Sequence, residues 1–242
     1  MDTEKNRSFT ENLDAVLTEL QQRSQQNVQT KAKLWWWRAT IRFSYLFKRL
    51  FDIAFSLCAI IVLLPFGLLL AVLIKLTSPG PVFFVQTRVG KYGRHFRFYK
   101  FRSMYQDAEQ RKKELESQNQ SADGVIFKMK NDPRITPIGR IIRKTSIDEL
   151  PQFLNVLLGD MSLIGPRPPV PSEVMHYTME DRKRLLVRPG MTCLWQISGR
   201  SDLPFKQQAQ LDKEYIIARS LKQELLILLR TVPAILSGRG AY

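Results

Sequence analysis

The longest feature in the hydropathy pattern is IAFSLCAIIVLLPFGLLLAVLI, residues 53–74, which carries no charge over 22 residues and is long enough for a membrane element. Pro65 stands inside it. A proline there removes a helical hydrogen bond and crowds the preceding turn, so the pattern predicts a kink or break, with Gly67 loosening the same place. The legs on either side hold 12 and 9 residues. At 1.5 Å per residue they reach roughly 18 and 14 Å, each short of a hydrocarbon core about 30 Å thick. Ahead of the run, KLWWWRATIRFSYLFKRLF (33–51) sets three consecutive Trp among Arg and Lys, a pattern suited to the headgroup level. Residues 1–32 are polar and Gln-rich, and a short helix or a disordered arm is all that the pattern supports there.

Beyond Lys75 the pattern changes to that of a water-facing domain. Val82 to Gln86 is apolar and aromatic, a Gly-bearing turn follows, and Phe96, Phe98 and Phe101 recur in a second run, which together predict a β-hairpin. Tyr105 to Gln118 reads as a polar helix with solvated charge on most faces. Pro151 is tolerated only in the first turn of a helix, so a helix is expected from Ser146–Asp148 through Leu158, ended by Gly159. Asp212 to Ile235 predicts one or two amphipathic helices, with Leu221, Leu225, Leu228, Leu229 and Val232 on a face suited to the core or to a membrane.

Charge narrows the picture. The formal net charge of +15 calls for an anionic partner: nucleic acid, anionic lipid or phosphorylated small molecules. The apolar run directs the choice toward a membrane. Lys33, Arg38, Arg42, Lys48 and Arg49 precede it, and Lys75, Arg88, Lys91 and Arg94 follow. If positive flanks stay in the cytoplasm, both ends want the same side, which favours a helix-break-helix that enters and leaves one leaflet; a kinked spanning helix is the competing reading. Cys58 and Cys193 are the two cysteines, too far apart and too differently set for a disulfide scaffold, and with His95 and His176 they lack zinc-ligand spacing.

The chemistry gathers in RKTSIDELPQF, residues 143–153, which puts adjacent acids before a helix in a strongly basic chain. Ser146 and Glu149 have the spacing of a capping box, the plain reading. The alternative is a reactive carboxylate: Asp148, in a first helical turn near Arg143 and Lys144, is expected to have a lowered pKa, with Glu149 about 100 degrees further round and facing elsewhere. In GPRPP (165–169) the prolines hold Arg167 on a stiff frame, as a phosphate or diphosphate clamp requires, although Pro-rich loops are more often plain connectors. Arg188 and Arg200 are further cations at turns. The residues themselves indicate a membrane-attached protein that binds phosphorylated ligands. The reading from a different class is a non-catalytic basic module on the membrane that binds anionic lipid or nucleic acid.

Several motifs in order resemble the bacterial sugar transferase family, the monotopic phosphoglycosyl transferases. They are the run around Pro65, FYKFRSM (98–104), DPRITPIGRIIRKTSIDELPQ (132–152), GDMSLIGPRPP (159–169), RPGMTCLWQISGR (188–200) and the terminal SGRGAY. The resemblance covers about residues 45–242. It implies an α/β, mostly α, monotopic fold: a polar arm (1–32), an interfacial segment and re-entrant membrane helix broken at Pro65 (33–75), and a compact cytoplasmic catalytic domain (76–242) with a small β-hairpin and interfacial amphipathic helices. It implies transfer of a sugar 1-phosphate from a UDP-sugar to undecaprenyl phosphate with release of UMP, the first membrane step of exopolysaccharide, capsule or O-antigen synthesis, on the cytoplasmic face of the bacterial inner membrane. Asp148 would be the nucleophile, forming an aspartyl phosphosugar, and Glu149 its partner, placing Mg²⁺ with it or orienting the incoming phosphate. Arg143 and Arg200 would hold phosphates, and Arg167 with Pro166 and Pro168 the nucleotide, while Lys100, Arg102 and Asp212 are further substrate-binding candidates. The SGRGAY ending and RPPVPSEV look like the hexose-using branch, which favours UDP-glucose or UDP-galactose. The partners implied are the UDP-sugar, undecaprenyl phosphate and membrane lipid, with no nucleic acid and with a homodimer left open.

Overall fold

A computed structural model describes residues 2–120, 127, 129 and 131–237, with side chains at 30, 31, 33–120, 127, 129, 131–200 and 202–237. The terminal SGRGAY motif beyond Ser237 lies outside the described residues. The chain divides into two compact units, Met1–Leu50 and Phe51–Tyr242. A helix, α1 (Asp2–Thr77), carries the chain through both, so the arm expected as a short helix or disorder is helical from Asp2. In the first unit Trp35, Trp36, Trp37 and Phe43 are exposed, with the Trp35 and Trp36 rings edge to face at 5.2 Å.

In the second unit α1 is followed by β1 (Phe83–Val89), β2 (His95–Phe101), α2 (Ala108–Glu114), α3 (Pro137–Lys144), α4 (Gln152–Leu158), β3 (Ser162–Ile164), α5 (Pro171–Met175), β4 (Gly190–Thr192), α6 (Leu194–Ser198), α7 (Phe205–Ala218) and α8 (Leu221–Ser237). The expected hairpin is present: β1 and β2 pair antiparallel from Phe83 opposite Phe101 to Val89 opposite His95. β3 and β4 form a short parallel pair. The polar helix is shorter than its pattern suggested, Ala108–Glu114 with a 3₁₀ turn at Glu116–Gln118.

One face of α1 builds the core. Asp52, Ser56, Leu70 and Ile74 are buried, and Ala59, Ile60 and Leu63 pack on the cluster around Phe98, Phe153 and Val156. Leu70 and Ile74 join Phe101 and Ile142. The opposite face, Ile61, Val62, Leu64, Phe66, Leu68 and Leu69, is more than half exposed at every position. The helix continues through Pro65, so the expected break is not an interruption of secondary structure. A proline costs the ladder one rung and some crowding, and the packed stripe on both sides keeps the flanking turns in place. Both ends of the apolar segment are fastened to this unit. Asp52 Oδ1 accepts the Leu163 amide at 3.3 Å, and Arg102 donates to Ser78 O at 2.6 Å and Pro79 O at 2.8 Å.

The Asp212–Ile235 pattern resolves into α7 and α8, which begin and end further out than expected. On α8, Glu224 and Ile227 are buried and Leu228 packs on the core, whereas Leu221, Leu225, Leu229 and Val232 point outward. Glu224 faces inward because the Tyr215 hydroxyl and Arg219 reach it, at 2.8 and 3.0 Å.

α4 is locked to the hairpin by Asn155, which is fully buried; its Nδ2 donates to Arg97 O at 2.6 Å and its Oδ1 accepts Tyr99 N at 3.1 Å. Gly159 ends α4 in the left-handed conformation, as its position predicted. Asn155→Ala strands both strand groups, each orphan costing about 1–3 kcal/mol. The expected loss is about 2–4 kcal/mol of stability, read as a lowered thermal midpoint in detergent.

Candidate active site

The hairpin register sets Phe84 opposite Lys100, Gln86 opposite Phe98 and Arg88 opposite Phe96. With a side-chain period of two, Arg88 and Lys100 therefore share one face with Phe98. The Phe98 ring, buried in the core, carries both cations: the Arg88 guanidinium stands 5.1 Å from its centroid and the Lys100 ammonium 5.6 Å.

Asp148 and Glu149 reach Lys100 from the segment ahead of α4. The helix begins at Gln152, and the acids sit on a separate 3₁₀ turn, Ile147–Glu149, entered through Ser146 in the left-handed region (φ 56°). This corrects three expectations. Ser146 makes no side-chain cap; its Oγ accepts Arg200 at 2.6 Å. Glu149 does not face elsewhere: Lys100 reaches between the two acids and donates to Glu149 Oε1 at 2.7 Å and to Asp148 Oδ2 at 3.3 Å. Nor is the Asp148 pKa lowered by a helix start, since α4 begins four residues later. Burial pushes the Asp148 carboxyl above the usual aspartate range, Lys100 offsets this in part, and Glu149 adds to it. Burial opposes ionisation of Glu149 too, but Lys100, with Arg167 and Arg200, prevails and holds it below the usual glutamate range.

Further cations converge on the pair. Arg143 comes from the last turn of α3, whose start is fixed by Thr136 Oγ1 accepting Gly139 N at 2.9 Å. Burial lowers the Arg143 pKa, against the pull of Asp148. Arg200 has φ 54°, so Ser146 and Arg200, joined by the 2.6 Å bond, are both held in a conformation that L-residues seldom adopt. Arg200 Nη1 is buried and has no hydrogen-bond partner among the described residues. In GPRPP the prolines are buried and Arg167 projects. The frame that the prolines suggested is fixed further by the loop's carbonyls: Pro166 O accepts Gly190 N, Pro168 O accepts Arg88 Nη1 and Pro169 O accepts Val89 N, each at 2.9 Å.

A cleft of about 410 Å³ joins these groups. Lys100, Arg143, Asp148, Glu149, Arg167 and Arg200 line one part, and Phe83, Tyr105, Phe127 and Met129 another. Arg102 borders the cleft with its guanidinium committed to the Ser78 and Pro79 carbonyls. Asp212 is not in the lining; it is fully buried and paired with Arg184 at 2.7 Å, which also donates to the Tyr177 hydroxyl. Pro166, Pro168 and Arg188 lie outside the lining as well. Arg88 lines the cleft and escaped the motif reading. The signal for it was present, since QTR in an alternating strand puts it on the lysine's face.

Two neighbouring carboxylates in a cleft fit Mg²⁺, which binds through one or two carboxylates and completes its octahedron with water and substrate phosphates. Among the described residues no group of three or more His, Cys, Asp or Glu could hold a metal without such help.

The profile of the family described as "Bacterial sugar transferase" matches residues 43–238. The chain is 54% identical over 163 residues to the galactosyl transferase CpsE of Streptococcus agalactiae serotype III, covering 67% of this chain and 36% of that one. It is 43% identical over 205 residues to the undecaprenyl-phosphate galactose phosphotransferase of Salmonella typhimurium, covering 83% and 43%. It is 38% identical over 198 residues to the exopolysaccharide production protein ExoY of Sinorhizobium fredii, covering 81% and 88%. The chain thus spans less than half the length of the first two relatives and most of the third. With a profile match over most of its length, the chain belongs to the bacterial sugar transferase family.

Proposed function

We propose that this chain is a phosphoglycosyl transferase that moves a sugar 1-phosphate from a UDP-sugar to undecaprenyl phosphate and releases UMP, an entry step to surface polysaccharide synthesis. The observation that carries the reading is the pair of buried Asp148 and half-buried Glu149 on one ammonium, in a cleft that Arg143, Arg167 and Arg200 also line. A diphosphate repels an attacking carboxylate, and fixed cations remove that repulsion while stabilising the charge that develops on the leaving group.

Asp148 Oδ attacks the sugar-bearing phosphorus; the bond from that phosphorus to the bridging oxygen breaks, and UMP leaves with the electron pair. The phosphosugar rests on Asp148 as an acyl phosphate until an oxygen of undecaprenyl phosphate attacks the same phosphorus and returns the carboxylate. Glu149 stays ionised and orients Lys100, and Arg167 and Arg200 hold donor phosphates. Mg²⁺ held by Asp148 and Glu149 would supply the added positive charge that draws Asp148 into its ionised form and screens the diphosphate.

The apolar segment is held at both ends by the elements that build the cleft, which supports a re-entrant anchor on the cytoplasmic face of the inner membrane, its two legs turning at a kink at Pro65 within the continuous helix. The outward leucines of α8 extend the lipid-facing surface. Such an anchor holds the cleft at the depth where the lipid's phosphate emerges. A non-catalytic basic module would gain nothing from desolvating two acids under its cations. The galactose named in two relatives, together with RPPVPSEV, supports a UDP-hexose donor with UDP-galactose first among them.

Purified protein given UDP-galactose, undecaprenyl phosphate and Mg²⁺ is expected to release UMP, with at least about 10³-fold loss in Asp148→Asn and loss on chelation by EDTA. Full turnover in Asp148→Asn would place the nucleophile elsewhere. Lys100→Met removes the cation that favours both carboxylates, so their pKa values rise and the acid limb of the kcat/KM profile moves to higher pH; an unmoved limb would separate Lys100 from the chemistry. For topology, a cysteine at position 20 in a Cys58→Ala, Cys193→Ala background is expected to react with impermeant maleimide only after the inner membrane is opened. Labelling from the periplasm would sink the re-entrant anchor.

A further inference from the structure

Arg88 has no role in the reaction described above, yet the hairpin sets it beneath the Pro-Arg-Pro loop. It is 7% exposed. Its Nη1 donates to the Pro168 carbonyl at 2.9 Å, and the next residue's amide, Val89 N, donates to Pro169 O at 2.9 Å. Its guanidinium lies 5.1 Å over the Phe98 ring, which belongs to the main core cluster. The Pro168 carbonyl, one residue after Arg167, is therefore tied through one side chain to the core cluster around Phe98. The carbonyl just before it, Pro166 O, is held by the backbone of β4 through Gly190 N.

Arg88 stays in place against a cost. Burial, and next the neighbouring Arg167, pull its pKa down to about 10, and its Nε finds no hydrogen-bond partner among the described residues. A long cation free to turn would move away from another guanidinium into water. The Pro168 bond and the Phe98 ring hold it instead.

We propose that Arg88 is a positioning residue: by gripping the Pro168 carbonyl and stacking on Phe98 it fixes where Arg167 meets the diphosphate of the nucleotide donor. This rests on the donor reading above. The role differs from that of a core residue, because its loss displaces one guanidinium and leaves the fold's apolar contacts in place. It differs from direct contact with substrate, because its effect runs through Arg167.

A double-mutant cycle separates these cases. Arg88→Met is expected to lower kcat/KM for the UDP-sugar by about 10- to 100-fold, mainly through KM, while in an Arg167→Met background the same change costs less than about threefold. Arg88→Lys, which keeps the charge and one donor but not the fork, is expected to recover part of the loss. Wild-type activity in Arg88→Met, or an equal loss in both backgrounds, overturns the proposal. Should Arg88→Met fail to fold, Arg88→Lys is taken through the same cycle, with a loss of about 3- to 10-fold expected to vanish beside Arg167→Met, and additive losses overturn it there too. The cycle is also read on UDP affinity by calorimetry. Absence of UMP release from the wild-type protein with every UDP-sugar would therefore sink the function reading, while the binding cycle still decides the role of Arg88.

Discussion

Two carboxyl groups one residue apart, in a place largely closed to water, cannot both remain ionised without a cation against them. Lys100 is that cation, at 2.7 Å from Glu149 and 3.3 Å from Asp148. At such separations one ion pair is worth about 4 kcal/mol in a medium of effective dielectric near 20, comparable to the penalty of desolvating a charge. The arrangement is therefore balanced closely enough for its members to differ. Glu149 takes the shorter bond and a lowered pKa; Asp148, more deeply buried, has a raised one. Neighbours of the same chemical type are thus given opposite tendencies to ionise by their surroundings.

Much of the remaining unit keeps that lysine opposite those acids. Phe98 seats Lys100 and Arg88 on one ring, and Asn155 ties α4 to β2 so that the turn carrying the acids cannot slide along the hairpin. The cations above the pair come from separated stretches: Arg143 from α3, Arg167 from the proline loop, Arg200 from the turn after α6. Collecting like charges is unfavourable, and the unusual backbone at Ser146 and Arg200 adds to the cost. Core packing along α1, the hairpin and α4 supplies the offset, as expected where a scaffold stabilises a site that is not itself stable.

One face of α1 completes this core while its other face stays apolar and exposed, so the packing that supports the cleft and the face proposed for membrane attachment lie on one element. Asp52 illustrates the join: it opens the apolar segment and accepts the Leu163 amide of β3, the strand that leads into the Pro-Arg-Pro loop. A shift of this segment against β3 would be felt at Arg167 within a few residues.

The apolar run, the hairpin, the glycine stop at Gly159, the stiff frame around Arg167 and the crowd of basic residues were all legible in the sequence, because each rests on local chemistry: hydropathy, period-two alternation, allowed backbone angles and charge. What escaped it depended on contacts distant along the chain. The S-x-x-E spacing pointed to a cap, but Arg200, 54 positions away, claims the Ser146 hydroxyl, and the acids sit on a 3₁₀ turn ahead of the helix. Burial by the surrounding elements reversed the expected direction of the Asp148 pKa. Asp212 became the counter-charge of Arg184, and Arg88, read as one more flanking charge, became part of the cleft. The sequence by itself determined the long apolar helical run, the hairpin, the polar helix and the helices around 152–158 and 212–235, and which residue types could bear on phosphate; tertiary structure decided the short elements between them and which side chains meet, because desolvation and pairing of charges are set by neighbours that only the folded chain brings together.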